Sequence, residues 1–408
     1  SSTRPAMYCT QKLAGQRLSK TVMRADSQDP LSSKGWGVVT LQDGSGTERE
    51  VRVVQKEEYE DTNMVHITWF WTWEGVTHQV ELRHGRRSGI RKIYVNKKLE
   101  DLVAMTFFPV AIVAAMGTSI LLMKRGVSVE TVTALVIFAC YAYLAALERF
   151  FPLHPEWSRS HGDVGPDLAL GATNALVNFG AQPLILALAA GFAGWASLHL
   201  GADIWPNHWP LIGQLVPALL LGELVEYSVH RSMHEIPWLW RFHAPHHSSS
   251  RLYWLNAVRF HPIDTLFIGP SKLIPLVILG ADAQVMALVL IFAAVHGSCQ
   301  HANIPCRIGP LNWVFSMAEL HRWHHSPITA EANHNYGGNL IFWDIVFGTR
   351  WMPDDRLPPV NIGIEELPHF PRSYSALMWA PFRWKKLVEE AGPVPLRSHP
   401  DPIERETL

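Results

Sequence analysis

The chain has 408 residues, 48% of them apolar and 17% charged, with a formal net charge of −1. Charged residues fall below the roughly one quarter usual in soluble domains, which points to a membrane protein, and the near-neutral balance speaks against nucleic acid as a general partner. The four cysteines, Cys9, Cys140, Cys299 and Cys306, form no C-x-x-C pair, so neither a disulfide framework nor a thiolate zinc site is expected.

Residues 1–35 are polar, lack the apolar core of a signal peptide and read as a flexible leader. Over 36–100 the strand-like alternation of "VHITWFWTWEG" and "THQVELRHGRRSGIRKIYVNKKLE", with "GRRSG" as a hairpin loop, predicts a small β-rich cytosolic module. The character changes at residue 101, and 101–385 reads as a membrane-embedded domain. Its apolar runs at 102–123, 130–150, 173–200 and 210–229 are long enough to span a bilayer, which takes about 20 residues. The run at 264–297 divides into two shorter halves and predicts a re-entrant hairpin. Arg83, Arg86, Arg87, Arg91, Lys92, Lys97 and Lys98 precede the first run, which by the positive-inside rule places that side in the cytosol. An even number of crossings then returns every histidine cluster to the same face. Near the end, "YSALMWAPFRWKKLVEEAG" is amphipathic and is expected along the membrane surface, and 386–408 reads as a flexible tail. The expected fold is mainly α: a polytopic membrane bundle of about four spans plus the hairpin, a cytosolic His-rich metal-binding cap and the small amino-terminal β-module.

The histidines carry the chemistry. His230 and His234 are four apart, while His243, His246, His247 and His321, His324, His325 repeat an i, i+3, i+4 spacing. On helices, such spacings place each set on one face. Pro245 interrupts the first trio, so His243 is expected just before the helix that carries His246 and His247. Unpaired imidazole is costly to bury, and neutral imidazole is a common ligand of iron, zinc and copper. Eight imidazoles suit two metals rather than one. The zinc-protease motif fails, because His234-Glu235 is followed by Trp238 where a histidine would be needed. Two His-ligated metals with open positions suit oxygen activation by iron, and spacing alone leaves zinc and copper open.

The boxes "HRSMH", "HAPHH" and "HRWHH", with "RFHP" after the second and "NHNYGGNLIFWDIVFGT" after the third, resemble the fatty acid hydroxylase/sterol desaturase superfamily over roughly residues 105–385. The resemblance implies a helical membrane protein with two iron ions held by His230, His234, His243, His246, His247, His321, His324 and His325. It further implies ligands between the second and third boxes, for which His301 is favoured and His296 is the second candidate; His261 and His334 rank lower. Glu226, Glu235, Asp264, Glu319 and Asp344 lie near enough in sequence to orient a ligating imidazole.

The implied activity is an O2-dependent lipid hydroxylase or desaturase, sterol desaturase-like, acting on a C–H bond of a sterol or other lipid. No haem module, G-x-G-x-x-G loop or iron–sulfur cysteine set is present, so the expected electron donor is a separate cytochrome b5 or ferredoxin with its reductase. The expected membrane is the endoplasmic reticulum in a eukaryote and the inner membrane in a bacterium. A metal-bearing membrane scaffold whose β-module binds a protein, and a zinc-dependent membrane hydrolase, are the alternatives. Separately, His78, His84, Gly85, Ser88, Gly89, Arg91, Tyr94 and Val95, after a Trp-rich strand, resemble part of the Fas apoptotic inhibitory molecule family over about residues 65–100. That partial likeness implies a β-appendage.

Overall fold

The computed structural model describes residues 99–195, 197–199, 204–353 and 356–392 with their side chains. The chain divides into two compact units, Ser1–Leu102 and Val103–Leu408. In the first, backbone strands such as Met64–Trp73 and Val76–Gly85 are assigned. The expected leader, the packed β-module and its family resemblance all rest on side chains outside the described residues.

Helices build the second unit. In chain order they are α1 (Lys97–Lys124), α2 (Val129–Phe150), α3 (Val164–Leu200), α4 (Leu211–Glu235) and α5 (Pro237–His247). Then come α6 (Pro262–Ser271), α7 (Ile274–Leu279), α8 (Ala283–His301) and α9 (Ala318–His324). The short α10 (Thr329–Ala332), α11 (Phe342–Val346), α12 (Tyr374–Trp379) and α13 (Trp384–Ala391) follow.

Among the described residues, six helical stretches can cross a membrane by length and composition: α1, α2, α3, α4, α6 with α7 as Pro262–Leu279, and α8. The last two are the halves of the expected hairpin. Outward-facing apolar side chains such as Phe138 (71% exposed) and Phe179 (87% exposed) make sense against lipid, where water would penalise them. The sequence rules for helix ends hold locally. Ser128 caps α2 by accepting from the Thr131 N–H at 3.3 Å, and Pro237 and Pro262 open α5 and α6 at positions that need no N–H partner. Gly280 ends α7 in the left-handed region, at φ +83°.

α3 begins at Val164 rather than near 173, whereas α4 continues the fourth apolar run through both of its histidines to Glu235, as their i, i+4 spacing predicts. His243 lies inside α5, not before it, because Pro245 falls in the last turn, where its missing N–H costs a single helical bond. The Pro245 carbonyl is in turn held by Arg259 Nε at 2.9 Å and Ser248 Oγ at 2.8 Å.

α8 is the hub of the bundle and packs against α2, α4 and α9 through buried Val285, Leu288, Ile291 and Phe292. A second, smaller core joins α3 to the carboxy-terminal segment through Leu170, Leu367, Phe370 and Leu377. The apolar stripe of α13, including Trp384 and Leu387, packs onto that core. Trp379, Phe382 and Val388 of the same amphipathic segment stay exposed. Of the expected tail, residues 386–391 belong to α13, and 393–408 lie outside the described residues.

Between α5 and α6 the chain is fixed by buried ion pairs to the start of α3. Asp163 meets Arg251 Nε at 2.6 Å, and Asp167 meets Arg259, Tyr253 Oη at 2.7 Å and Asn256 Nδ2 at 3.0 Å. Since Arg259 also holds the Pro245 carbonyl, this network fixes the helix end that carries His246 and His247.

Candidate metal centre

Among the described residues, nine buried histidines gather into two groups: His230, His234, His243, His247 and His324 in one, and His246, His301, His321 and His325 in the other. Within each group one ligand atom per residue lies within 4.8 Å of all the others. In the first, His230 Nε2 and His247 Nε2 approach His243 Nε2 at 3.1 and 3.2 Å. In the second, His301 Nε2 is 3.3 Å from His246 Nε2 and 3.0 Å from His321 Nε2, with His325 Nε2 3.1 Å from the latter. Adjacent nitrogens about 3 Å apart are what one ion bonded at about 2.1 Å requires when its ligands subtend a right angle. Nε2 of His234 and of His324 has no protein partner and is buried. An all-imidazole set of converging nitrogens, with orphaned atoms among them, fits a transition-metal ion in each group.

The trios do not each occupy one face. Three residues along a helix turn about 300° and four about 400°, so neighbouring His246 and His247 point about 100° apart. α5 therefore acts as a wedge, giving His243 and His247 to the first group and His246 to the second. α9 does the reverse, giving His324 to the first group and His321, with His325 just beyond the helix end, to the second. The rings of His247 and His325, one from each group, stack at 4.4 Å, so the groups share a wall.

The outer nitrogens are oriented where the backbone allows. Nδ1 of His230 donates to the Tyr336 carbonyl at 2.6 Å, and Nδ1 of His324 to the His334 carbonyl at 2.8 Å. Nδ1 of His301 donates to Gly297 O at 2.7 Å, and Nδ1 of His234 to Asn333 Oδ1 at 3.2 Å. His243 Nδ1 donates to Asp264 Oδ2 at 2.8 Å, with both side chains buried. Each such bond fixes the tautomer and aims the Nε2 lone pair inward. His246 is held by stacking, its ring 4.2 Å from Phe260 and nearly parallel to it. Burial, reinforced by neighbouring imidazoles, keeps His246, His247, His321 and His325 well below the ordinary imidazole pKa. Burial likewise brings His324 down to about 3. These rings are neutral at pH 7, the form that ligates a metal.

The remaining sequence candidates separate cleanly. His301 joins the second group; His296, five residues earlier on α8, joins neither. Both His296 ring nitrogens are unpartnered, and the ring packs against Phe108, Phe292 and Phe315. Five positions along a helix turn a side chain well away from its partner's face, which is why nearness in sequence did not carry over. His261 caps α6 by accepting from the Ile263 N–H at 3.1 Å, and His334 contributes its carbonyl.

Of the five candidate carboxylates, Asp264 bonds directly to a grouped histidine. Asp344, raised to about 6 by burial, accepts the Tyr336 and Gly337 N–H groups at 2.8 and 2.7 Å, and so holds the carbonyl that orients His230. Glu226 pairs with Lys272 at 2.7 Å, Glu235 with Arg231 at 2.7 Å, and Glu319 accepts from the Ile308 N–H at 2.9 Å. Sequence reasoning missed Asn333 and the Tyr336, His334 and Gly297 carbonyls. Backbone acceptors leave no residue-type signal.

Two groups of buried imidazoles, drawn from the ends of the membrane-capable α4 and α8 and from the short α5 and α9, make a candidate dinuclear metal site in a protein with several membrane-capable helices. The fatty acid hydroxylase family model matches residues 215–349, the stretch that carries every grouped histidine. Ornithine lipid hydroxylase OlsE of Rhizobium tropici is 36% identical over 266 residues, covering 64% of this chain and 78% of that protein. Alkylglycerol monooxygenase of Homo sapiens is 28% identical over 166 residues, and that of Caenorhabditis elegans 27% over 166 residues. These alignments cover 38% of this chain and only 34% and 29% of the respective relatives. No solved structure matches the chain. The chain belongs to the fatty acid hydroxylase family.

Proposed function

We propose that the chain is an O2-dependent membrane lipid hydroxylase working with two iron ions. The observation that carries this reading is the pair of converging all-histidine groups, to which the membrane-capable α4 and α8 contribute His230, His234 and His301. His230, His234, His243, His247 and His324 would hold one ion, and His246, His301, His321 and His325 the other. Reduced iron at these positions supplies O2 activation: a C–H bond becomes C–OH, the second oxygen atom leaves as water, and two electrons and two protons are consumed. Hydroxylation is favoured over desaturation because the relatives are named as a hydroxylase and monooxygenases.

The chain's own residues hold, orient and shield. Asp264, Asp344 through Tyr336, and the Gly297 and His334 carbonyls fix the imidazoles, while burial of the rings excludes water from the reacting volume. The electrons come from a separate cytochrome b5 or ferredoxin system. The site faces the cytosol, in the endoplasmic reticulum or a bacterial inner membrane. An amino-acid lipid is preferred to a sterol as substrate, on the strength of the relative aligned over most of its length.

Elemental analysis of the detergent-purified protein, beside a His246→Ala/His324→Ala double variant, tests this reading. About two irons per chain, together with lipid-dependent O2 uptake, both lost in the variant, are expected. No bound metal in either protein after anaerobic iron loading would overturn it.

A further inference from the structure

An open cleft of about 340 Å³ lies against the first histidine group, with His234 and His247 in its wall. That volume is within the ~300–1,000 Å³ typical of small-molecule sites. Trp240 lies beside both rings, at 5.1 and 5.4 Å between centroids, and Ile364, Leu367 and Val388 extend the apolar lining. Among the described residues, and histidines apart, Glu366 is the one ionisable side chain lining the cleft, with no lysine or arginine in its wall. The Thr329 hydroxyl, also in the lining, donates to Glu366 Oε1 and fixes the carboxylate. No ion pair neutralises Glu366 among the described residues. The lysines of α13, Lys385 and Lys386, are 91% and 69% exposed beside Glu389 and Glu390 and are not part of the wall.

We propose that this cleft seats the headgroup of a lipid bearing a primary ammonium, and that Glu366 recognises the ammonium. The inference rests on the lipid hydroxylase reading and names its substrate class. A half-buried carboxylate fixed by a hydroxyl and lacking a counter-ion is complementary to a cation. A phosphate headgroup would find repulsion from Glu366 and no basic partner among the described lining residues. A neutral lipid would leave the carboxylate partly desolvated without compensation. The apolar wall formed by Trp240, Ile364, Leu367 and Val388 suits the hydrocarbon next to the headgroup and brings that part of the lipid to His234 and His247.

The test measures binding to the metal-free full chain in detergent, by displacement of a radiolabelled ornithine-headgroup lipid. Its competitors are the unlabelled lipid, the same lipid acetylated on its amine, and free ornithine. The wild type is expected to prefer the free-amine lipid by about tenfold, the size of one charge-assisted hydrogen bond. Glu366→Gln keeps the volume and is expected to abolish the preference. Val388→Trp narrows the cleft and is expected to weaken both lipids. Preference unchanged in Glu366→Gln, or free ornithine competing as well as the lipid, overturns the proposal. Lipid-dependent O2 uptake, measured separately on the iron-loaded protein, distinguishes the two failures. Uptake without headgroup preference sinks the cleft assignment alone, and Glu366-dependent preference without uptake sinks the hydroxylase reading alone.

Discussion

Asp264→Asn removes a charge from the centre while leaving its shape intact. Asp264 opens α6 and meets His243 Nδ1 at 2.8 Å, with the two side chains 0% and 1% exposed. An asparagine can still accept that hydrogen bond, so the His243 ring keeps its direction and its tautomer. What is lost is the negative charge that makes the imidazole a better donor toward a cation. Loss of such an outer partner typically weakens metal binding by about 10- to 100-fold, or about 1.4–2.8 kcal/mol. The effect falls on the group that contains His243; the group of His246, His301, His321 and His325 makes no contact with Asp264 in the structure. Titration of the iron-loaded protein with a chelator, followed by elemental analysis, is therefore expected to remove one ion per chain at about 10- to 100-fold lower chelator activity, while the second ion leaves as in the wild type. An unchanged profile would refute the orienting role of Asp264. Equal weakening of both ions would refute the division of the histidines into two separate groups.

Further outcomes follow from the same geometry. His296→Phe is expected to retain both ions with an equal or higher Tm, since it replaces an unpartnered buried imidazole in an aromatic setting, whereas His301→Phe is expected to lose the four-histidine ion; metal loss in His296→Phe would show that it ligates. Gly338→Ala places a Cβ 2.8 Å from the Glu226 carboxyl carbon, a carboxyl fixed by Lys272, and is expected to cost about 1–3 kcal/mol, read as a lower Tm. In the metal-free protein, His246, His247, His321 and His325 lie well below the ordinary imidazole value and His324 at about 3, so below about pH 6.5 the unfolded chain binds more protons than the folded one. Stability then rises with pH across that window and falls on acidification. Asp344, raised to about 6 by burial, acts in the opposite sense, and the lowered histidines together outweigh it. Tm measured from pH 7 down to pH 5 is expected to drop, and a flat profile would contradict the neutral buried rings.

The sequence by itself determined the class of architecture and nearly all of the candidate metal ligands. Apolar runs of spanning length persist as helices because such stretches can satisfy their backbone only internally, and the runs over 102–123 and 130–150 match α1 and α2 to within a few residues. The three boxes supply eight of the nine grouped histidines, and His301 was the favoured ninth. Tertiary structure decided everything that depends on which way a ring points. Spacing along α5 and α9 gives candidate ligands, but only the packing of α4, α5, α8 and α9 assigns them to one group or the other, because His246 and His247 diverge by about 100° on the same helix. It also separated His301 from His296, chose Asp264 from five plausible carboxylates, and brought Glu366 beside a cleft lined by His234 and His247, more than one hundred residues away in sequence. Contacts of that kind are set by long-range packing and by backbone carbonyls, and neither leaves a local pattern in the chain.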